Sequence, residues 1–269
     1  MKSALHDSIL QYGKELKKYS HKISPRFKAA TIHRFRTTTK KLRSLLHWQK
    51  IQKDILPASF VKMYHTSGEL RNAQIVLVGL NHDKINLPDF MLWLATFISG
   101  KEMDWNEIYH KRTLQKLEQK LSRIKFQKPA GKALRLFFSK RIYKLQAVLD
   151  LRPPADDMLH EVRKMVKDMQ YIKQWCGKNW VPGNNITKKF SLLQLKKLGK
   201  LAGNYNDKRM GLILIEVYLD EEKYEKAIKA TRPVQKKYEQ QKAKLKKQLL
   251  GSLRQFCKRK RSPYFPAKN

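Results

Sequence analysis

The pattern His33-x-x-Arg36-x-x-x-Lys40 recurs as His160-x-x-Arg163-x-x-x-Lys167, 127 residues further along the chain. At about 100° of rotation per residue, positions 0, +3 and +7 of an α-helix fall within a narrow arc. Each copy therefore describes one cationic stripe on one helix. Arg43 extends the first stripe, and Lys164 and Tyr171 lie close beside the second. Two helices carrying the same stripe fit a pseudo-symmetric site for a long polyanion.

Helical periodicity continues through the rest of the chain. Leu5, Ile9, Tyr12, Leu16 and Tyr19 form one apolar stripe on an otherwise polar opening helix. Ser24 and Pro25 read as the N-cap and first residue of a helix running to about Lys50. Pro57 opens a helix that passes through Gly68 to about Leu80, and Pro88 starts a short apolar one ending near Gly100. A further helix is expected over Asp104 to Lys125, with Ile108, Leu114, Leu117, Leu121 and Ile124 inward. After a boundary at Gln127 to Gly131, helices follow over Leu134 to Leu149 and from Asp156 to near Gly177. Thr187, after the Val181 to Ile186 loop, reads as the N-cap of a helix to Leu219, and Glu221 to Lys260 forms the last, interrupted by Pro233. No convincing run of period-two strands is present, so the fold class is all-α.

The halves match beyond the cationic stripes. Gly68-Glu-Leu-Arg-Asn72 aligns with Gly203-Asn-Tyr-Asn-Asp207 at a separation of 135 residues, the excess over 127 fitting the Val181 to Ile186 loop. Two landmarks in one order imply an internal duplication, residues 1–128 and 129–269, each half a bundle of about four helices.

Charge narrows the partners. The 269 residues include 59 Lys plus Arg against 22 Asp plus Glu, a formal net charge of +37. Such self-repulsion opposes compaction unless counter-ions or a polyanion relieve it, which points to nucleic acid, inorganic polyphosphate or anionic membrane. The two cysteines, Cys176 and Cys257, form no Cys-x-x-Cys motif, which excludes a thiolate zinc site. Met1 to Lys14 lacks the apolar core of a signal peptide. The apolar stretch Phe90 to Ser99 is shorter than the roughly 20 residues a bilayer requires. The expectation is a soluble, cytoplasmic protein.

At these motifs the sequence resembles the CHAD family, the α-helical histidine domains. The first signature stands here as His33-Arg-Phe-Arg-Thr-Thr-Thr-Lys-Lys-Leu-Arg43, and the second as Leu159-His-Glu-Val-Arg-Lys-Met-Val-Lys-Asp-Met-Gln-Tyr171. The family's Gly-x-x-x-Asp turn fits Gly203 to Asp207, whereas the first copy has Asn72 in place of Asp, and Gln170 stands where Arg43 would repeat. The resemblance implies two pseudo-symmetric antiparallel four-helix bundles with a basic surface or channel at their junction. It also implies binding of inorganic polyphosphate and, for some members, association with polyphosphate granules. Many relatives carry a fused triphosphate-tunnel domain, but this sequence has no β-rich segment or Glu-x-Glu-x-Lys motif of that module.

The candidate polyphosphate-binding residues are His33, Arg36, Lys40 and Arg43 from the first copy, and His160, Arg163, Lys164 and Lys167 from the second. Arginine suits bidentate contact with phosphate oxygens, and lysine acts as a mobile point charge. The alternative for each histidine is to brace the contact between halves; for each cation it is a solvated helix face. Lys28, Arg34, Lys41 and Arg71 are secondary candidates, and Lys132, Arg135 and Lys140 could face the site from the second half. The five tryptophans read as core, and the run Lys258 to Arg261 as a solvated tail or a nucleic-acid patch. With no Ser-His-Asp set or phosphate-binding glycine loop, the expected protein is a non-enzymatic polyphosphate binder without metal or cofactor. The alternatives are a sequence-independent RNA- or DNA-binding protein and an accessory subunit of a polyphosphate-metabolising enzyme.

Overall fold

The computed structural model describes residues 4–51, 55–125, 131–151, 153–179, 190–222 and 225–258. Among them the chain forms nine α-helices and no strand. These are α1 (Ala4–Ile23), α2 (Ala29–Trp48), α3 (Ala58–His82), α4 (Pro88–Ile108) and α5 (Lys111–Ser122), then α6 (Gly131–Asp150), α7 (Asp156–Lys178), α8 (Leu192–Glu222) and α9 (Glu225–Lys258). No helix among the described residues is long and apolar enough to cross a membrane. The expected boundary near residue 128, the Val181 to Ile186 loop, Thr187, Trp180 and the tail beyond Lys258 lie outside the described residues.

Helix contacts repeat between the two parts of the chain. α1 packs on α2, α2 on α3, α3 on α4 and α1 on α5; likewise α6 packs on α7, α7 on α8, α8 on α9 and α6 on α9. The long α9 thus fills the roles that α4 and α5 share in the first part. Across the repeat, α2 meets α7 and α3 meets α8. The helices do not divide into two separate cores. The larger core takes Leu5, Phe35 and Trp105 together with Leu145, Val166 and Leu253. A second core joins Ala73, Val76 and Leu80 of α3 to Leu212, Ile215 and Tyr218 of α8, with Phe90 of α4 and Val234 and Tyr238 of α9.

Both long helices change core at a polar step. On α3, Leu70 belongs to the larger core and Ala73 to the second, with Arg71 and Asn72 between them. On α8 the step runs from Tyr205 to Leu212 through Asn206, Asp207, Lys208 and Arg209. A layer of charge is therefore sandwiched between two apolar cores where α3 and α8 cross.

Several boundaries differ from the sequence expectation. Ser24 does not cap α2: its hydroxyl accepts the Trp105 indole N–H at 3.3 Å, and the chain turns at Phe27, φ 41°, before Lys28 caps the helix. Gly100 does not end α4, which continues to Ile108 because Trp105 is wholly buried against Phe35 in the larger core. Pro233 does not interrupt α9: Val234 and Tyr238 pack into the second core, and the Thr231 hydroxyl turns back on the Ala227 carbonyl at 2.8 Å. The segments Gly68 to Asn72 and Gly203 to Asp207 are helix interior, not turns. Trp48, Trp105 and Trp175 are core as expected, while Trp93 is only partly buried, stacked between Phe90 and Phe97 with its N–H on Glu221 at 2.6 Å.

The close α8–α9 crossing depends on glycine. A Cβ at Gly211 would stand 2.5 Å from the Tyr238 ring, whereas one at Gly251 meets nothing within 4 Å. Gly211→Ala is expected to destabilise the fold by about 1–3 kcal/mol through overpacking. Gly251→Ala in the same helix pair should stabilise it by up to about 1 kcal/mol through helix propensity. Paired thermal melts of the two variants check both signs.

Candidate anion-binding site

Helix α2 presents His33, Arg36 and Lys40, and α7 presents His160, Arg163 and Lys167, where the two helices meet beside the α3–α8 crossing. Arg36 is fixed by α3. Its Nη1 donates to the Tyr64 carbonyl at 2.6 Å and to the Ser67 hydroxyl at 3.2 Å, and its guanidinium lies 4.7 Å from the centre of the Tyr64 ring. Gly68 makes this possible, because a Cβ there would lie 2.5 Å from Nη1. Lys167 has a similar seat on α8: its Nζ donates to the Gln170 amide oxygen at 3.1 Å and stands over Gly199, where a Cβ would be 2.9 Å away.

Lys40 sits between these tethers with no hydrogen bond or ion pair of its own among the described residues. Burial holds its ammonium well below the usual lysine value; Arg163, Arg36 and Lys167 push the same way, and Asp207 opposes. Arg163 and Arg71 each leave a buried Nε without a partner. Burial also lowers Arg71 and Lys167. The carboxyl of Asp207 is raised by burial, although Arg163, Arg71 and Lys40 all pull it down. Arg71, Arg163 and Lys40 thus face the Asp207 carboxylate, with Arg36 and Lys167 beside them, and no ion pair within 4.0 Å among the described residues ties it to any of them.

The two histidines are not equivalent. Burial lowers His33, and Arg71, Lys40, Lys167 and Arg36 reinforce the effect, so it looks onto cations from α3 and α7 as well as its own helix. Its Nε2 is 3.4 Å from the Thr37 hydroxyl. His160 is held by its Nδ1–H on the Asn206 amide oxygen at 2.9 Å. Burial lowers it too, with Lys164, Arg163 and Arg209 contributing and Asn206 opposing. By the 135-residue repeat, Asn206 stands where Arg71 stands in the first half. The duplicated imidazole therefore meets a cation once and an amide once.

Of the remaining candidates, Arg71 joins the cluster and Arg43 reaches its rim, 5.5 Å from the Tyr64 ring centre. Lys164 is exposed and paired with Glu161 at 2.5 Å. Lys41 turns towards α1, 5.9 Å from the Tyr12 ring centre, and so leaves the α2–α7 face. Lys28 and Arg34 are exposed, and no contact brings either to the cluster. Lys132, Arg135 and Lys140 are exposed on α6. Tyr171 is a half-buried neutral phenol, its pKa pushed up to about 12 by its partial burial.

Two acids escaped the sequence reading as site residues: Asp207, and Asp168, which bolts the halves together. The Asp168 carboxylate accepts Arg141 Nη2 of α6 at 2.9 Å, and the Ser44 hydroxyl of α2 lies 2.6 Å from its other oxygen. His47 Nδ1 of α2 is 3.6 Å away. Burial would raise this carboxyl, but His47, Arg141 and Ser44 outweigh it and hold it below the usual range. An acid directly after Lys167, away from the acidic first turn of α7, is the available signal. Asp156, in the first turn of α7, accepts the Tyr205 hydroxyl and Lys242, tying α7 to α8 and α9.

The crystal structure of the CHAD domain from the plant Ricinus communis is similar to this chain, with a TM-score of 0.74 at 14% sequence identity. The match covers 94% of this chain and 92% of that chain. This is an all-α protein built on a duplicated pattern of helix contacts, and its fold is that of a CHAD domain. No family model and no curated protein matches the chain in sequence.

Asp168→Asn should destabilise the protein by about 3 kcal/mol, because it strips the counter-charge from the largely buried Arg141. A depressed carboxyl contributes stability that is present above its unfolded pKa near 4 and lost as pH falls through the folded value. Chemical denaturation from pH 7 downward should therefore show a smaller loss of stability in acid for the variant than for the wild type.

Proposed function

We propose that the chain binds inorganic polyphosphate, without catalysis, along the two cationic stripes where α2 meets α7. The observation that carries this reading is Lys40, enclosed by Arg36, Arg163 and Lys167 with no partner of its own and only Asp207 as nearby counter-charge. Like charges gathered in a low-dielectric layer cost stability, and a phosphate chain supplies the missing anions. Lys40 faces Arg163 and Lys167, and His33 faces Lys167, which supports one polymer engaging both stripes. The fold supports the reading by likeness, since the family that the sequence motifs resemble is linked to polyphosphate. Association with polyphosphate granules in the cytoplasm belongs to the same proposal.

Affinity should rise with chain length, because a longer polymer engages cations of both stripes at once. Calorimetric titration with triphosphate and with a long-chain polyphosphate checks this, and equal affinities would refute shared use of the stripes. The logarithm of the binding constant should fall linearly with that of salt concentration, by roughly 0.7 for each phosphate neutralised if polyphosphate behaves as a single strand does. Lys40→Gln with Arg163→Gln should weaken binding about tenfold or more, since a charge-assisted hydrogen bond contributes about 1.5–3 kcal/mol. RNA should displace bound polyphosphate only in large excess. Displacement at equal phosphate concentration would favour the nucleic-acid reading.

Binding should also tighten as pH falls towards about 6. Both imidazoles sit below their ordinary value in the free protein, so they are neutral there; a bound polyanion favours the protonated form, and binding takes up protons. His33→Gln should flatten the pH profile more than His160→Gln, because His160 already spends its Nδ1 proton on Asn206. Identical profiles in both variants and the wild type would assign the histidines a bracing role.

A further inference from the structure

The repeat that built the cationic layer did not build it evenly. Asn72 of α3 and Asp207 of α8 occupy matching places in the two halves. Asn72 lines a small cavity of about 180 Å³ with Arg36, Tyr64, His65, Gly68 and Glu69, whose carboxylate is paired with Lys101 at 3.2 Å. Asp207 instead faces Lys40 from α2, Arg71 from α3 and Arg163 from α7, and Lys208 follows it on its own helix. It is an acid set among cations, and no salt bridge among the described residues holds it there.

Asp207 also has somewhere else to turn. It lines a cleft of about 560 Å³ between α3, α8 and α9, where Lys208 and, from α9, Lys244 and Gln241 provide alternative polar surroundings. The Lys208 ammonium lies 4.3 Å from the Tyr238 ring centre at the edge of that cleft. The carboxylate therefore stands between a crowded cation layer on one side and an open, lysine-bearing cleft on the other.

Resting on the anion-binding reading above, we propose that Asp207 is the internal counter-ion of the site. In the ligand-free protein it supplies negative charge to Lys40, Arg71 and Arg163, and an incoming anion must displace it towards the cleft or drive its protonation. It thereby sets the threshold for binding and makes the second half the weaker half. A phosphate chain anchors first on the first-half side, at Arg36 and His33, where the nearby Glu69 is already paired with Lys101, and reaches Arg163 only when it outcompetes the carboxylate. Burial already raises Asp207, and a nearby phosphate raises it further, so part of the proton uptake on binding belongs to this group.

The test compares wild type, Asp207→Asn and Asn72→Asp, each by thermal melt without ligand and by calorimetric titration with long-chain polyphosphate. Asp207→Asn should melt no lower than wild type without ligand, because a carboxyl raised by burial costs stability once ionised, and should bind polyphosphate roughly fivefold tighter or more, because one like charge is gone from the path. It should also take up fewer protons on binding. A purely structural aspartate would lower both melting temperature and affinity, so equal or weaker binding by the folded variant overturns the proposal. Asn72→Asp places the acid in the other half and should weaken binding; unchanged affinity there overturns it even if Asp207→Asn does not fold. If wild type binds no polyphosphate, the proposed function falls, and the counter-ion role is read from sulfate-induced rises in melting temperature. A larger rise in Asp207→Asn than in wild type upholds the role, and an equal or smaller rise sinks it. Where Asp207→Asn does not fold, a smaller rise in Asn72→Asp upholds it and an equal one sinks it.

Discussion

Repulsion within the cation layer is the constraint around which this molecule is organised. Two unit charges about 6 Å apart at an effective dielectric constant near 20 repel by roughly 3 kcal/mol, a large fraction of the 5–15 kcal/mol that keeps a typical domain folded. Arg36, Lys40, Arg71, Arg163 and Lys167 are nonetheless gathered at the α2–α7 and α3–α8 contacts. Among the described residues none of them has a carboxylate within salt-bridge distance. Arg36 rests on a carbonyl, a hydroxyl and a ring face, and Lys167 on an amide oxygen. Apolar burial on both sides does the holding, because α3 and α8 enter the layer from the larger core and leave it into the second. Cations assembled this way repel one another, and the packing of the two cores opposes that repulsion.

Small residues decide how the stripes are used. Gly68 gives the Arg36 guanidinium its bed on α3, and the matching Gly203 is open space. On α8 the close approach falls one turn earlier, at Gly199 beneath Lys167. The stripes thus sink different members into the neighbouring helix: an arginine near the head of one and a lysine at the tail of the other. The duplicated sequence fixes which helices carry charge. The glycines determine which charges are tethered on a neighbouring helix, as Arg36 and Lys167 are.

Much of this was legible from spacing. The cationic stripes, the all-α class and the inward tryptophans Trp48, Trp105 and Trp175 all follow from helical periodicity, and the structure contains them. The failures came where tertiary contacts override local signals. Ser24 and Pro25 look like a helix start, but Ser24 serves the Trp105 indole instead. Gly100 and Pro233 look like breaks, yet buried Trp105 and Val234 carry α4 and α9 past them. Within the site, Lys41 belongs to the right helix but the wrong face, packed towards Tyr12. Stripe arithmetic cannot separate neighbours one residue apart until the partner helices are placed.

The two acids in this basic interior show what separates a structural charge from an available one. Asp168 and Asp207 are both enclosed, and burial pushes both carboxyls up. Asp168 ends below its ordinary value because donors reach it: Arg141 at 2.9 Å and the Ser44 hydroxyl at 2.6 Å. Asp207 ends above it, although more cations surround it, because none comes within salt-bridge distance among the described residues. Proximity to positive charge does not stabilise a buried carboxylate as well as direct hydrogen bonds do. A carboxylate whose donors are all in place fastens α2, α6 and α7 and has no reason to change state. One held among cations without donors keeps its position only while nothing more strongly anionic competes for them.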